Sequence, residues 1–381
     1  MKVIVSVKGR LHGFNLAQEL NRRNALHKLI TSYPKFMAKR FDIPRRKVIS
    51  FLDLEILART YSRIRDDYWR LSNWVNRAFD RRVAKRITQA DLFVGWSSSS
   101  LTSIRQAKSL GMTTIVERGS SHILYQHETL EEESALFGCS GPMIHPRVIE
   151  TELKEYDEAD YISIPSQYVK NTFIQHGISA DKLIQIPYGV NLDEFYPVQK
   201  EDNTFRFIHC GGITWRKGVH YLLQAFTELN LPDAELWLVG LIDPEMNDII
   251  EQYHSENIVY HGYKPQTELR WFYSQCNVFC LASIEEGLAL VQGQAMACGL
   301  PIITSENTGG SDLIIEGEHG FTVPIRDVEE LKSKMQYMYD HQEQAQIMGD
   351  QAKNRMHELF TWNNYGSKIY EAYTDLLRRK K

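Results

Sequence analysis

Residues 277–301 read NVFCLASIEEGLALVQGQAMACGLP and carry the pattern that decides the fold. The run starts as a short apolar segment typical of a buried β-strand, passes through the acidic turn Glu285-Glu286-Gly287, and resumes as a helix from about Leu290. A carboxylate in a loop before a helix N-terminus suits a ligand that carries hydroxyl and phosphate groups. The alternative is that the two glutamates only cap the helix and favour its dipole.

The alternation of strand and helix continues along the whole chain. The strand candidates begin at Lys2, Lys28, Asp91, Thr113, Tyr161 and Leu183 in the first half, and at Phe205, Ala234, Asn257, Asn277 and Pro301 in the second. Apolar strands separated by helices predict an α/β fold with parallel sheets covered on both faces. A break rich in Pro, Gly and polar residues lies between 187 and 202. We therefore predict two doubly wound, Rossmann-like domains, 1–190 and 191–363, facing a central cleft where ligands bind.

The composition narrows the class of protein. The chain has 381 residues and a net charge of −4, which argues against a general nucleic-acid binder because such proteins are usually strongly basic. The N-terminal apolar run is too short for a signal peptide and predicts a first strand, and no apolar stretch has the length of a bilayer span. The five cysteines are an odd and sparse set. These features favour a cytoplasmic protein.

A second candidate site opens the second domain, where residues 209–223 read HCGGITWRKGVHYLL. A strand runs into a glycine-bearing loop, then into the adjacent cations Arg216 and Lys217, and then into a helix that begins near Gly218. Cations beside a helix N-terminus bind a diphosphate through their charge and through free backbone amides. A solvated basic turn is the alternative, but the position after the first strand of a nucleotide-type domain favours phosphate binding.

Five segments, in order along the chain, resemble the pattern of the retaining glycosyltransferases of family 4. They are ADYISIPSQYVKNTF from Ala159, IPYGVNLDEFYP from Ile186, ITWRKGVHYLLQAF from Ile213, EGLALVQGQAMACGLPIITSENTGG from Glu286, and FTWNNYGSKIYEAYTDLL from Phe360. The fourth segment is similar to the E-x7-E signature of that family. The resemblance implies the GT-B fold, with the last helix, about 364–381, returning to the first domain.

The same resemblance implies an activity and a set of site residues. It implies transfer of a sugar from a nucleotide diphosphate donor with retention at the anomeric carbon, and it implies no metal or other cofactor, since the nucleotide sugar is a substrate. Arg216 and Lys217 would neutralise the leaving diphosphate. Glu286 would hold the hydroxyls of the donor sugar. The backbone that would line sugar and phosphate comprises Gly287, Leu288, Ala289 and Leu290.

Three positions depart from the family pattern. Gln294 stands where the family has its second glutamate, which bonds the ribose hydroxyls of the nucleotide, and a neutral amide bonds them more weakly by about 1 kcal/mol. Ala289 replaces a second glycine and would narrow the loop. Gly212 stands where many members carry an arginine, which leaves Arg216 and Lys217 as the main cations. We predict reduced nucleotide affinity without loss of activity.

The first domain matches the family less well. Residues 8–13, KGRLHG, follow the first strand and precede a helix, so the amides near Gly9 and Gly13 would face the donor phosphates, with a simple tight turn as the alternative. After the strand that begins at Thr113 comes RGSSH, which ends in His122. His122 would correspond to the family's first-domain histidine near the reacting sugar, and a structural histidine is the alternative.

Residues 35–86 differ from the rest of the chain in charge. They hold 15 Lys and Arg against 6 Asp and Glu, whereas the remainder of the chain is acidic, and eight aromatic residues are interleaved with the cations. Basic helices with aromatic residues suit an anionic membrane surface or a lipid-diphosphate acceptor. An ordinary solvated basic face is the alternative. The inner face of the membrane is therefore a second candidate location beside the cytoplasm.

We predict from these patterns a retaining glycosyltransferase that moves a sugar from a nucleotide diphosphate donor to a glycan, lipid-linked or small-molecule acceptor. No nucleic-acid partner is expected. Two rival functions stay open. One is a nucleotide-sugar epimerase of the same fold, and the other is a catalytically silent nucleotide-sugar-binding protein, for which Gln294 is the support.

Overall fold

The computed structural model describes residues 1–61, 68–138 and 144–379. In this part of the chain the strands form two sheets, one of seven and one of six strands, and neighbouring strands pair in parallel. Each sheet belongs to one domain. The predicted α/β fold with two Rossmann-like domains is confirmed.

The first domain contains the seven-stranded sheet. Its strands are β1 (Val3–Val7), β2 (Leu26–Thr31), β3 (Val48–Ser50), β4 (Leu92–Trp96), β5 (Thr113–Glu117), β6 (Tyr161–Ile164) and β7 (Leu183–Gln185). Its helices are α1 (Gly13–Arg22), α2 (Leu52–Tyr61), α3 (Tyr68–Ala84), α4 (Leu101–Ser109), α5 (Ile123–Leu136), α6 (Pro146–Glu158) and α7 (Gln167–Gln175). The strand order is β3-β2-β1-β4-β5-β6-β7. Strands β1, β4 and β5 are buried along their whole length, as expected of a sheet covered on both faces.

The second domain repeats this architecture. Its strands are β8 (Phe205–Cys210), β9 (Ala234–Val239), β10 (Ile258–Gly262), β11 (Val278–Leu281), β12 (Ile302–Ser305) and β13 (Gly320–Val323). The helices that follow β8 are α8 (Val219–Leu229), α9 (Asn247–Gln252), α10 (Gln266–Ser274), α11 (Leu290–Ala297), α12 (Val328–Asp340), α13 (Gln342–Leu359) and α14 (Trp362–Arg379). The strand order is β10-β9-β8-β11-β12-β13.

The sequence pattern missed the two strands β3 and β13. Each lies at an edge of its sheet and is only three or four residues long. About half of the residues in each are only partly buried, so neither strand shows the apolar run that marks the central strands. Edge strands need less burial because one side of each has no neighbouring strand.

The last helix, α14, packs against α1 of the first domain. Arg23 donates hydrogen bonds to the carbonyl oxygen of Asn363 at 2.9 Å and to the hydroxyl of Ser367 at 2.8 Å. A Cβ on Gly366 would lie 2.5 Å from Oε2 of Glu19, so the two helices approach each other at this glycine. The contact ties the end of the described chain to the beginning.

In the described part of the basic segment 35–86 lie two short 3-10 helices, β3, α2 and α3, and residues 62–67 of this prediction lie outside the described residues. Its aromatic side chains separate into two groups. Phe79 is fully buried in the core, whereas Phe36 and Trp74 are 67% and 55% exposed. None of the helices that the structure describes has an apolar stretch of the length and hydropathy needed to cross a membrane.

Candidate active site

A cleft of about 1140 Å³ opens between the two domains. Loops that follow strands β1, β4 and β5 line it on one side, and loops that follow β8 and β11 line it on the other. Its polar lining includes Lys8, Arg10, His12, Ser97, Arg118 and Ser120 of the first domain and Arg216, Gln266, Glu286 and Gln294 of the second. This is the crevice outside the carboxyl ends of the strands, where doubly wound sheets bind ligands.

The loop after β8 carries Arg216 and Lys217; Arg216 lines the cleft, whereas Lys217 is not among the described lining residues. A single 3-10 turn, Trp215–Lys217, precedes α8, and Thr214 caps it by accepting a hydrogen bond from the amide of Lys217 at 3.2 Å. Gly218 has a φ of 62°, and a Cβ there would lie 1.8 Å from the carbonyl oxygen of Ala282. Glycine is therefore required at 218 both for the left-handed conformation and for the approach of the loop after β11.

Each of these two cations holds one of the two adjacent glutamates. The guanidinium of Arg216 donates to Oε2 of Glu285 at 2.8 Å, and Lys217 forms a close ion pair with Glu286. No described side chain caps α11, whose N-cap residue is Ala289. The alternative in which the two glutamates serve as helix caps is therefore wrong.

Glu285 joins the two domains, a role that the sequence did not reveal. Its carboxylate accepts hydrogen bonds from the hydroxyl of Ser120 at 2.6 Å, from the amide and hydroxyl of Ser121 at 3.0 and 2.7 Å, and from the amide of Gln126 at 2.7 Å. It is completely buried. Burial alone would raise the pKa of Glu285, but the charge of Arg216 and the serine hydrogen bonds lower it to about 2. Glu285 is thus a buried, ionised contact between the domains.

Gly287 lies at the closest approach of the two domains. A Cβ on Gly287 would stand 1.9 Å from the carbonyl oxygen of Gly119, and the hydroxyl of Ser166 donates to the carbonyl oxygen of Gly287 at 2.7 Å. Gly287 does not have a positive φ. The small size of glycine is therefore needed at 287 for contact between the domains, and a left-handed backbone is not the reason for it.

Some of the residues that follow Gly287 line the cleft, and others make contacts inside the second domain. Leu288, Leu290 and Gln294 line the cleft, as predicted for the donor site. The amide of Ala289 donates to the carbonyl oxygen of Thr308 at 3.4 Å, so it is engaged inside the domain. Leu290 begins α11, and its amide has no hydrogen-bond partner among the described residues. The helix N-terminus can still offer a donor to a ligand oxygen.

The predicted first-domain glycines serve the turn and not the cleft. Gly9 has a φ of 78°, and its amide donates to the hydroxyl of Ser32 at 2.8 Å. Gly13 begins α1, and a Cβ there would lie 2.8 Å from a methyl carbon of Val7. Gly9, Gly13 and Gly212 are not among the described residues that line the cleft. The tight-turn alternative therefore applies to the first two.

His122 is held inside the first domain. Its Nδ1 accepts a hydrogen bond from the amide of Leu124 at 3.3 Å and caps α5, and its ring stacks on His176 at a centroid distance of 4.4 Å. Burial, reinforced by the charges of His176 and Arg118, lowers the pKa of His122 to about 3. It is absent from the described lining of the cleft, where His12 is the first-domain histidine. The structure thus gives no support to direct contact of His122 with the sugar.

Two facing doubly wound domains, with Arg216 and Glu286 of the second domain lining their cleft, define a protein of the GT-B class. Residues 193–355, within the second domain, match the family described as glycosyl transferases group 1. This match confirms the resemblance to a glycosyltransferase of this type that the sequence indicated.

The relatives agree with this assignment. The chain is similar to the MMP alpha-(1->4)-mannosyltransferase of Mycolicibacterium hassiacum, with 25% identity over 226 residues that cover 58% of this chain and 55% of that protein. The match thus spans about half the length of that curated relative. Two solved structures superpose with a TM-score of 0.72, the sucrose-phosphate synthase from Thermosynechococcus elongatus and Anabaena HepE in complex with UDP-glucose. The synthase shares 18% identity and covers 100% of this chain, and HepE shares 15% identity and covers 98% of it. Each match includes 100% of the solved chain. At this identity they establish the shared fold.

Proposed function

We propose that the chain is a retaining glycosyltransferase that transfers a sugar from a nucleotide diphosphate donor. The observation that carries the proposal is the pairing of Arg216 with Glu285 and of Lys217 with Glu286 beside the cleft of a glycosyl transferase group 1 domain. These pairs place the two cations close to Glu286, a carboxylate that lines the cleft. A departing diphosphate and a polyhydroxylated sugar need that combination of groups.

The ion pairs leave both cations able to bind the diphosphate. A guanidinium has five N–H donors, and Arg216 directs Nη2 and Nε to Glu285, so donors remain for phosphate oxygens. The ammonium of Lys217 has three donors and directs one to Glu286. The carboxylates therefore orient the cations. Donors fixed before the reaction stabilise the charge that develops on the leaving group without further reorganisation.

Retention at the anomeric carbon is part of the proposal. Arg216 and Lys217 hold the diphosphate on one face of the sugar, and the acceptor hydroxyl approaches from that same face. A leaving phosphate oxygen then takes the proton of the acceptor as the new bond forms. No metal enters this scheme, so addition of a chelator such as EDTA is expected to leave the rate unchanged.

Acceptor-free incubation with several nucleotide sugars tests the function. UDP-glucose is bound by the structural neighbour Anabaena HepE, and GDP-mannose is a natural choice because a relative is named as a GDP-mannose-dependent mannosyltransferase. Slow release of nucleoside diphosphate supports the transferase. An interconverted sugar with the nucleotide still attached would support an epimerase instead. Unchanged donors throughout the panel would favour a binding protein.

Gln294→Glu is expected to lower the dissociation constant of the donor about fivefold, because a charged hydrogen-bond acceptor gains about 1 kcal/mol over a neutral one. Gln294 lines the cleft, and its Oε1 already accepts a bond from the hydroxyl of buried Tyr273 at 3.4 Å. Isothermal titration calorimetry with UDP and GDP measures the change. Gln266→Glu is the matched control because it adds the same charge to the lining of the cleft. An unchanged dissociation constant in Gln294→Glu would refute a nucleotide contact.

We also propose that the basic segment docks the enzyme on an anionic membrane where a lipid-linked acceptor resides. Its exposed apolar side chains lie among cations, and Phe36, Ile56 and Trp74 are 67%, 57% and 55% exposed. Contact with water does not stabilise such side chains, whereas an interface between lipid and water buries them and binds the cations.

Flotation with liposomes tests the membrane proposal. The protein is expected to float with vesicles that contain phosphatidylserine and to remain unbound with phosphatidylcholine alone. Binding to the anionic vesicles should weaken with added salt and in the double variant Ile56→Ser, Trp74→Ser. Leu241→Ser, which changes a 68% exposed side chain of the second domain, is the control. Absence of flotation with the anionic vesicles would instead indicate a solvated basic face.

A further inference from the structure

His12 occupies the first-domain wall of the cleft. It stands at the N-cap position of α1, directly after the loop that leaves β1, and lines the cleft with 9% of its surface exposed. Its ring is fixed between two aromatic side chains, with centroid distances of 4.1 Å to Tyr188 and 4.9 Å to Trp96. A side chain held in this way presents its ring nitrogens in a defined direction.

A buried carboxylate stands behind this ring. Glu117 ends strand β5, is 1% exposed, and places Oε2 at 3.5 Å from Nε2 of His12. Its other oxygen, Oε1, has no hydrogen-bond partner among the described residues. A buried carboxyl group needs hydrogen-bond partners, and the N–H of the His12 imidazole is the partner that the geometry offers it.

The surroundings of Glu117 reinforce this pairing. The hydroxyls of Tyr188, Tyr365 and Tyr373 are buried and also lack partners within the described chain. Burial, followed by the nearby charge of Glu117, raises the pKa of all three hydroxyls well above the ordinary value. Four buried atoms without a partner among the described residues, Oε1 of Glu117 and these three hydroxyls, thus lie together behind the His12 ring.

The pairing leaves one ring nitrogen for a ligand. With its proton on Nε2 and directed at Glu117, a neutral imidazole is a hydrogen-bond acceptor at Nδ1. Nδ1 of His12 makes no hydrogen bond with any described residue. A Cβ on Gly119 would lie 3.7 Å from Cε1 of His12, and the carbonyl oxygen of Gly119 is the atom that Gly287 approaches. His12 therefore lies across this loop contact from Glu286.

We propose that Nδ1 of His12 accepts a hydrogen bond from a hydroxyl of the donor sugar, and that Glu117 is the residue that positions the ring. This inference rests on the proposed transferase function and adds a first-domain sugar contact to it. Glu286 then holds the sugar from the second domain and His12 from the first. Both contacts form only when the two domains are together.

Two amide variants of His12 separate the ring nitrogens. The amide group of Asn lies near the position of Nδ1, whereas that of Gln reaches the position of Nε2. We expect His12→Gln to lower kcat/KM for acceptor-free hydrolysis of UDP-glucose about fivefold, the effect of losing one neutral hydrogen bond, and His12→Asn to retain most of it. The dissociation constant of UDP, which has no sugar hydroxyls at this position, should be unchanged in both.

Glu117→Leu tests the positioning role. It replaces the carboxylate by an apolar side chain of similar volume, and we expect the same loss as in His12→Gln. The double variant should lose no more than either single variant, because the two residues act through one contact. Thermal unfolding midpoints close to that of the wild type exclude a folding defect, and His12→Gln and His12→Asn carry the test if Glu117→Leu does not fold.

Several outcomes would overturn the proposal. Full activity of His12→Gln would do so, as would equal losses in the Asn and Gln variants. A loss of UDP affinity as large as the loss of turnover would instead indicate that His12 only maintains the structure of the site. A wild-type protein that leaves every nucleotide sugar intact would overturn the transferase function itself, which keeps the two failures distinct.

Discussion

Lys217→Gln is expected to lower kcat/KM for the donor by about 10²–10³, because loss of one preorganised donor to a developing oxyanion costs about 2.7–4 kcal/mol. The substitution removes one of the two cations proposed for the diphosphate and also frees Glu286 from its ion pair. Lys217 is a cleaner choice than Arg216 since loss of the guanidinium would leave the buried carboxylate of Glu285 unpaired. The rate of nucleoside diphosphate release gives the measurement.

Lys334→Gln is the matched control for this prediction. Lys334 and Lys217 have nearly equal exposure, 26% and 25%, and each pairs with one glutamate, but Lys334 lies on α12. We expect the control to keep the activity of the wild type. A Lys217→Gln variant as active as Lys334→Gln would remove Lys217 from the mechanism.

Glu285→Gln is expected to lower the free energy of unfolding by about 3 kcal/mol at pH 7. The pKa of Glu285 falls from its ordinary value of 4.5 to about 2 in the folded protein, and each unit corresponds to about 1.4 kcal/mol. Urea unfolding followed by tryptophan fluorescence measures the change.

The stability lost in Glu285→Gln is expected to depend on pH. Because folding lowers the pKa of Glu285, its stabilisation is fully present above the unfolded value near 4.5 and is lost as the pH falls toward 2. The stability difference between wild type and variant should therefore shrink between those two pH values. The control is Glu329→Gln, which removes a carboxylate that is 81% exposed and forms an ion pair at the surface. It should change the free energy of unfolding by less than about 1 kcal/mol. A loss in Glu285→Gln that equals this control, or that does not vary with pH, would contradict the assigned role.

The stabilising contact and the proposed catalytic contact come from adjacent residues. Glu285 points into the first domain through Ser120, Ser121 and Gln126, whereas Glu286 lines the cleft. Because the two side chains share one short loop, we expect the proposed sugar contact to depend on the contact between the domains. The next residue, Gly287, meets the backbone of the first domain.

Local patterns in the sequence predicted the fold and proposed residues for the second-domain half of the candidate site. Strand-to-helix alternation put Arg216, Lys217 and Glu286 in loops at the carboxyl ends of strands, and the structure shows that these strands, β8 and β11, are neighbours. These loops lie at one edge of one sheet, so short-range reasoning brings them together.

The contacts between domains could not be predicted in this way. Glu285 meets residues that are 159 to 165 positions away, and His12 meets a residue 105 positions away. Nothing in a local pattern distinguishes Glu285 from a helix cap, or His12 from the better-matching His122. The useful signal was the set of small polar residues RGSSH after β5, which offers the donors that Glu285 uses.

Proton NMR of the first sugar released from a donor in the α configuration, such as UDP-glucose, tests the central claim most directly. A single spectrum reports whether the cleft cleaves the bond between sugar and diphosphate and which anomer leaves it. The account predicts early appearance of the α anomer in the wild type and its near absence in Lys217→Gln. Early appearance of the β anomer, or an intact donor after prolonged incubation with each nucleotide sugar, would contradict it.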